Sequence, residues 1–196
     1  MSDRKWRTWE VLGLIFVLVA GNLLHFVYEW CGESPIAGVL ASVNESTWEH
    51  MKLLTTPWGL WSIVELIALR RTGLPVLTAR AAGLLAGLAA IPLLFYGYQG
   101  VLGRDIMWLD VAIFQIAVLL GFWVTWAMLR RLALASPVWQ VAGAAVLAAV
   151  WAAFILWTFA PPDLPLFADP ETGLRGIRRR QRRRRCGCCT GPFRVR

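Results

Sequence analysis

Ser42-Val43-Asn44-Glu45-Ser46-Thr47-Trp48-Glu49-His50-Met51-Lys52 is a dense mixed run of acidic, basic and imidazole side chains in an otherwise apolar chain. After it, and ahead of it beyond a short connection, the sequence is apolar for about 20 residues, the length of a helix that crosses a hydrocarbon core of about 30 Å. The run therefore reads as a polar break between membrane-crossing helices, and the rest of the chain is placed relative to it.

The composition agrees. A chain of 196 residues with 58% hydrophobic and 16% charged residues and a mean hydropathy of +0.56 is too apolar for an ordinary soluble domain. The net charge of +8 resembles a nucleic-acid signal, but half of the 20 basic residues lie from Arg175 to Arg196. The remainder of the chain is close to neutral, so the lipid bilayer is the expected partner and nucleic acid is not. Of the four cysteines, Cys186, Cys188 and Cys189 fall in that tail and only Cys31 in the body, which leaves no readable disulfide framework. Arg4, Lys5 and Arg7 precede an apolar run as in a signal peptide, but no small-x-small cleavage site follows, and an uncleaved first span is expected.

Working outward, the first apolar run extends from about Trp9 to Tyr28, with Asn22, His25 and Glu29 spaced by three and four residues on one helical face. Ser34-Pro35 suits the start of a short helix ending near Leu40. Ser42-x-x-Glu45 has the form of a capping box, with Asn44 as an alternative cap; either start makes Glu45 to Lys52 helical. That helix continues into a second span from about Leu53 to Leu69. Pro57 kinks it, and Thr55 and Thr56 are placed to bond the freed backbone. Further spans are expected at about Val76 to Tyr98, Ile106 to Leu129 and Val138 to Ala160. The fold class is all-α, an integral membrane bundle of about five transmembrane helices with a short interfacial helix between the first and second. Residues 1–176 form one domain and 177–196 a disordered Arg/Cys-rich tail.

Lys and Arg concentrate at the N-terminus (Arg4, Lys5, Arg7), between the second and third spans (Arg70, Arg71, Arg80) and after the fourth (Arg130, Arg131). The excess marks the cytoplasmic side, so the N-terminus is cytoplasmic and the protein sits in a bacterial cell membrane. Trp6, Trp9, Trp126 and Trp139 then fall at the inner interface and Trp30, Trp48, Trp108 and Trp157 at the outer one, whereas Trp58 and Trp61 fit neither belt and are expected between helices.

This topology brings Asn22, His25, Glu29, Glu45, Glu49, His50, Tyr96, Tyr98 and Asp110 to one depth on the extracytoplasmic side, with Lys52 nearby. A charged group at mid-membrane costs roughly 2.5 to 3.5 kcal/mol and usually faces the bundle interior or water with a partner. Imidazole and carboxylate are the common ligands of zinc and related divalent transition metals, which makes His25, Glu29, Glu49 and His50 a candidate metal set. Asn22, Glu45, Lys52, Tyr96 and Asp110 complete the polar cluster. On a regular helix Glu49 stands about 100° and Glu45 about 140° from His50, so at most two of the three reach one ion. A metal-free acid–base pair, a proton- or cation-coupled pathway and a purely structural hydrogen-bond network use the same residues. Glu65, near the opposite end, is expected to pair with an arginine such as Arg70, Arg71 or Arg80. Asn44-Glu45-Ser46 matches a glycosylation sequon but is better explained by capping. None of the motifs GxxxxGK[ST], GxSxG, HExxH or GxGxxG occurs, so no standard hydrolase or nucleotide chemistry is indicated.

Gly21-Asn22-Leu23-Leu24-His25-Phe26-Val27-Tyr28-Glu29-Trp30, Glu33-Ser34-Pro35 and Val43 to Lys52 resemble a family of uncharacterised prokaryotic multi-pass membrane proteins known only as a domain of unknown function. Phe95-Tyr96, Gly103, Leu109-Asp110 and the stretch Leu164 to Gly173 resemble its later landmarks. The resemblance spans about Trp9 to Gly176 and implies a membrane location without an activity. The run Arg178 to Arg185 resembles a cytoplasmic lipid-binding segment, yet five spans place it outside, and it is expected to be dispensable for the core.

Overall fold

The computed structural model describes residues 3–69, 74–170 and 172–177, with side chains from Trp6 onward. The Arg4 and Lys5 side chains, Arg70, Arg71 and the arginine- and cysteine-rich tail after Ile177 lie outside the described residues. Among the described residues, six α-helices follow in order: α1 (Asp3–Trp30), α2 (Pro35–Leu40), α3 (Thr47–Leu69), α4 (Val76–Leu102), α5 (Met107–Leu129) and α6 (Pro137–Phe159). Short 3-10 turns occupy Leu132–Ala135 and Pro165–Phe167. The last described segment folds back on itself through an antiparallel bridge between Ala168 and Arg175.

The fold is an all-α helical bundle of membrane character. α1 from Trp6 to Trp30, α4, α5 and α6 are each long and apolar enough to cross a membrane, and they expose large side chains such as Ile15, Leu93, Trp123 and Val141. α3 differs. It has the 23 residues of α5, but Lys52, Thr55, Thr56, Ser62 and Glu65 dilute its apolar content, and all five side chains are buried. Four of the five expected spans thus qualify on length and hydropathy alone; the fifth, α3, buries its polar side chains while Leu60, Ile63, Val64 and Ile67 stay exposed. It packs against α1 and α4, while α4 also packs against α5 and α6.

Small residues set how closely these helices approach. A Cβ on Gly83 would lie 2.5 Å from the Gly121 carbonyl oxygen, and one on Gly87 3.0 Å from that of Ala117. Gly83-x-x-x-Gly87 therefore forms a small-residue seam that brings α4 onto α5 backbone to backbone, as in close membrane helix crossings. Beside the seam, Trp58 of α3 meets Phe122 of α5 edge to face, ring centroids 4.7 Å apart. Leu54, Leu84 and Val118 fill the space around the pair.

Pro57 lies inside α3 without ending it. The threonines do not serve the carbonyl it frees: Thr55 Oγ1 donates to Met51 O at 3.0 Å and Thr56 Oγ1 to Leu40 O at 2.7 Å. The freed Leu53 carbonyl instead faces α1 where Gly21 has no side chain; a Cβ there would stand 2.7 Å from it. Two of the tryptophans expected at the interfaces are core residues, because both meet partners that the sequence places far away. Trp6 packs with Leu69, Val76, Ala79 and Leu129. Trp48 stacks on Phe154, centroids 4.2 Å apart, and on Phe167 at 4.7 Å. Trp30 and Trp108 are exposed, Trp58 is buried, and Trp61 rests on Trp9 and Phe16 between helices.

Candidate functional site

The end of the bundle formed by the C-termini of α1 and α4 and the N-termini of α3 and α5 carries most of the polar groups. Its geometry begins with the cap of α3. Neither Ser42 nor Asn44 is the N-cap: Ser46 Oγ accepts the Glu49 N–H at 3.3 Å, and the helix begins at Thr47. Asn44 shapes the preceding turn, its Oδ1 accepting the Ser46 N–H at 3.0 Å, and Ser42 Oγ donates to Asn44 O at 2.7 Å.

This start changes where Glu45 points. Glu45 precedes the helix, so the angular spacing that would hold it away from His50 on a regular helix does not apply. Its carboxylate reaches both imidazoles: Oε2 lies 3.4 Å from His50 Nε2 and Oε1 3.9 Å from His25 Nε2. The two rings lie 5.4 Å apart, tilted by 35°. One ligand atom from each of His25, Glu45 and His50 falls within a set whose members all lie within 4.8 Å of one another. The three side chains are 35%, 48% and 32% exposed, open to exchange with the surroundings.

Glu49, one helical step away, faces the interior. Its Oε2 sits 2.5 Å from Lys52 Nζ and accepts the Val43 N–H at 3.1 Å. Lys52 also donates to Gly38 O at 2.8 Å and Thr158 Oγ1 at 2.7 Å. One buried ammonium thereby ties α2, α3 and α6 together, with the pair 1% and 2% exposed. Glu29 is exposed on the last turn of α1. Asn22 donates to Leu18 O at 2.6 Å and accepts from Gln115 of α5 at 3.4 Å. The Tyr96 hydroxyl is 3.4 Å from Thr47 Oγ1. Asp110 accepts from Tyr98 Oη at 2.5 Å. The structure thus joins His25, His50 and Glu45, and distributes Glu29, Glu49, Lys52, Tyr96 and Asp110 around them.

One contributor has no counterpart in the sequence reading. The segment after α6 straps the site from the side: Asp169 Oδ2 accepts the Glu45 N–H at 3.4 Å, Asn44 Nδ2 donates to Gly176 O at 3.4 Å, and the Ile177 N–H donates to Thr158 O at 3.0 Å. The buried Phe167 anchors this strap on Trp48 and Trp157. The available signal was Leu164 to Gly173, an apolar and turn-rich segment too ordered in character for a linker.

Chemically, His50 decides what the cluster can do. Its Nδ1 lies 3.0 Å from Ser46 O, a carbonyl that can only accept, so Nδ1 carries the proton. In the neutral ring Nε2 then presents a lone pair to the Glu45 carboxylate. Two acceptors facing each other call for a cation between them, either a proton on the ring or a metal ion. Metal-bound histidines characteristically make this backbone contact through their second nitrogen.

Fold and site together define a helical membrane-type bundle with an accessible His/Glu cluster at one end. The chain belongs to a family of unknown function (DUF6512), whose model matches residues 1–177. No curated protein and no solved structure matches it.

Proposed function

We propose that this protein is a multi-pass protein of a bacterial cell membrane, N-terminus in the cytoplasm, that binds a divalent transition metal ion such as zinc at His25, Glu45 and His50 on the extracytoplasmic side. The observation that carries the reading is His50, whose Nδ1 is engaged by Ser46 O while its Nε2 faces a carboxylate shared with His25. Ligand atoms around tetrahedral zinc stand roughly 3.3 Å apart, so half-exposed side chains close the 4.8 Å set by small rotations. Three protein ligands leave a fourth position for water or a substrate oxygen, the arrangement that catalytic zinc sites use to lower the pKa of bound water to about 7. Asp169 and Ser46 act as positioning residues, one holding the Glu45 backbone and the other the His50 ring.

The competing reading is a scaffold whose cluster is only a hydrogen-bond network, with His50 protonated against Glu45. Metal analysis of purified wild-type protein beside His25→Ala and His50→Ala separates the two. Stoichiometric metal in the wild type that both variants lose supports the metal centre; a folded wild-type sample that binds no added zinc removes it. A proton- or cation-coupled pathway is less well supported, because Val17, Leu54 and Trp58 fill the middle of the bundle without exposure.

A further inference from the structure

The opposite end of the bundle contains a second set of ionisable groups, closed where the histidine site is open. Glu10 of α1, Glu65 of α3 and Arg80 of α4 are all buried. Arg80 Nη2 donates to Glu10 Oε1 at 3.0 Å and Arg80 Nε to Glu65 Oε2. The guanidinium also lies 5.3 Å from the Trp58 ring centroid and 4.8 Å from that of Phe122 of α5. It is a cation fixed on four sides.

The remaining oxygens are what the ion pairs leave unexplained. Glu10 Oε2 and Glu65 Oε1 are enclosed with no hydrogen-bond donor, although both carboxylates engage nitrogens of the same guanidinium and so stand side by side. Ionised carboxylates only accept, so neither can satisfy the other's free oxygen unless one of them carries a proton. Charge gives the same answer. Two carboxylates against one guanidinium would bury an uncompensated negative charge, and like charges sharing an enclosed site do not both ionise. Among the described residues, the charged groups acting on Glu10 are Arg80 and Glu65; α5 faces the set with the Phe122 ring.

We propose that Glu10 and Glu65 form a proton-binding site, holding a single exchangeable proton between Glu10 Oε2 and Glu65 Oε1 while Arg80 engages the other two oxygens. The proton makes the set neutral and supplies the missing donor. It also links α1 to α3 and α4, because its loss sets two negative charges against each other across that interface. The site is separate from the histidine cluster, with the Trp58 layer of the core between them.

Infrared spectroscopy of the full-length protein in lipid nanodiscs tests this. The wild type is expected to show a protonated-carboxyl carbonyl band that moves to lower frequency in D2O. Glu10→Gln and Glu65→Gln, each a neutral shape mimic of the protonated acid, are expected to fold and to lose that band, which then stands in the wild-type-minus-variant difference spectrum. A difference spectrum in which only ionised carboxylate is lost overturns the proposal, since the pair would then hold both charges against some other cation. Should either variant not fold, 13C-glutamate labelling of the wild type decides instead. A protonated band that moves with the label supports the proposal, and its absence overturns it.

Discussion

The stretch from Ser42 to Lys52 contributes to two sites of opposite character, each pairing a glutamate with a basic side chain. Glu49 and Lys52 form a closed pair, 1–2% exposed, in which the ammonium engages groups from α2, α3 and α6. Glu45 and His50, with His25, form an open cluster about one-third to one-half exposed, in which the second ring nitrogen of His50 faces a carboxylate. Ionisable groups near a membrane are therefore not equivalent as functional candidates. A buried pair with its donors engaged holds helices together, whereas a half-exposed set with unmet acceptors is where a ligand can enter.

Substitutions that separate the two sites can break this contrast. The largest expected effect is at Lys52: Lys52→Ala leaves the Glu49 carboxylate buried without its cation and should cost about 3–5 kcal/mol in denaturant unfolding. Lys52→Met combined with Glu49→Gln should recover much of that loss, since breaking a buried pair costs more than replacing it. Were Lys52→Ala neutral, the closed pair would not be structural. Next, zinc at about a hundred times its dissociation constant should stabilise the wild type by about 2.7 kcal/mol. His25→Ala, His50→Ala or Glu45→Ala should abolish that gain in thermal melts while leaving the metal-free melt nearly unchanged. Ser46→Ala removes the cap that sets the start of α3 and should cost about 1 kcal/mol, with a fall in zinc affinity as Glu45 and His50 lose register. The smallest effect is expected at Glu29: Glu29→Ala should alter neither stability nor zinc content, and a loss of zinc there would enlarge the site toward the end of α1.

Much of the scaffold was legible because hydrophobic runs report helices directly. The expected spans match α1, α3, α4, α5 and α6 to within a few residues at most ends, although α1 begins at Asp3 and α4 runs on to Leu102. The expected pairing of Glu65 with an arginine is present, with Arg80 as the partner. Arg80 itself reads in sequence as a loop flank, yet it lies inside α4, one turn from its start, and reaches into the core. The Gly83-x-x-x-Gly87 seam was not among the sequence expectations, because spacing alone does not name the helix it meets.

The candidate site was half legible. His25 and His50 are the two histidines of the chain, and span parity brings them to one end of the bundle. The third member depended on where α3 starts. A helix beginning near Ser42 carries Glu45 away from His50; the Ser46 cap leaves Glu45 in the preceding turn, and Asp169, more than a hundred residues later, accepts its backbone N–H. Local propensity scarcely distinguishes Ser42, Asn44 and Ser46 as caps, so contacts from outside the segment decided among them.

By itself the sequence determined that this is an all-α chain of membrane character with its imidazoles at one end, because hydropathy and helical period act over a few residues at a time. The tertiary structure decided which carboxylates meet which cations. Glu45 rather than Glu49 joins the histidines, Glu49 is held by Lys52, and Glu10 and Glu65 share Arg80. The physical reason is that a buried charge is stabilised only by partners within a few ångströms, and those partners come from helices that only the packed fold brings together.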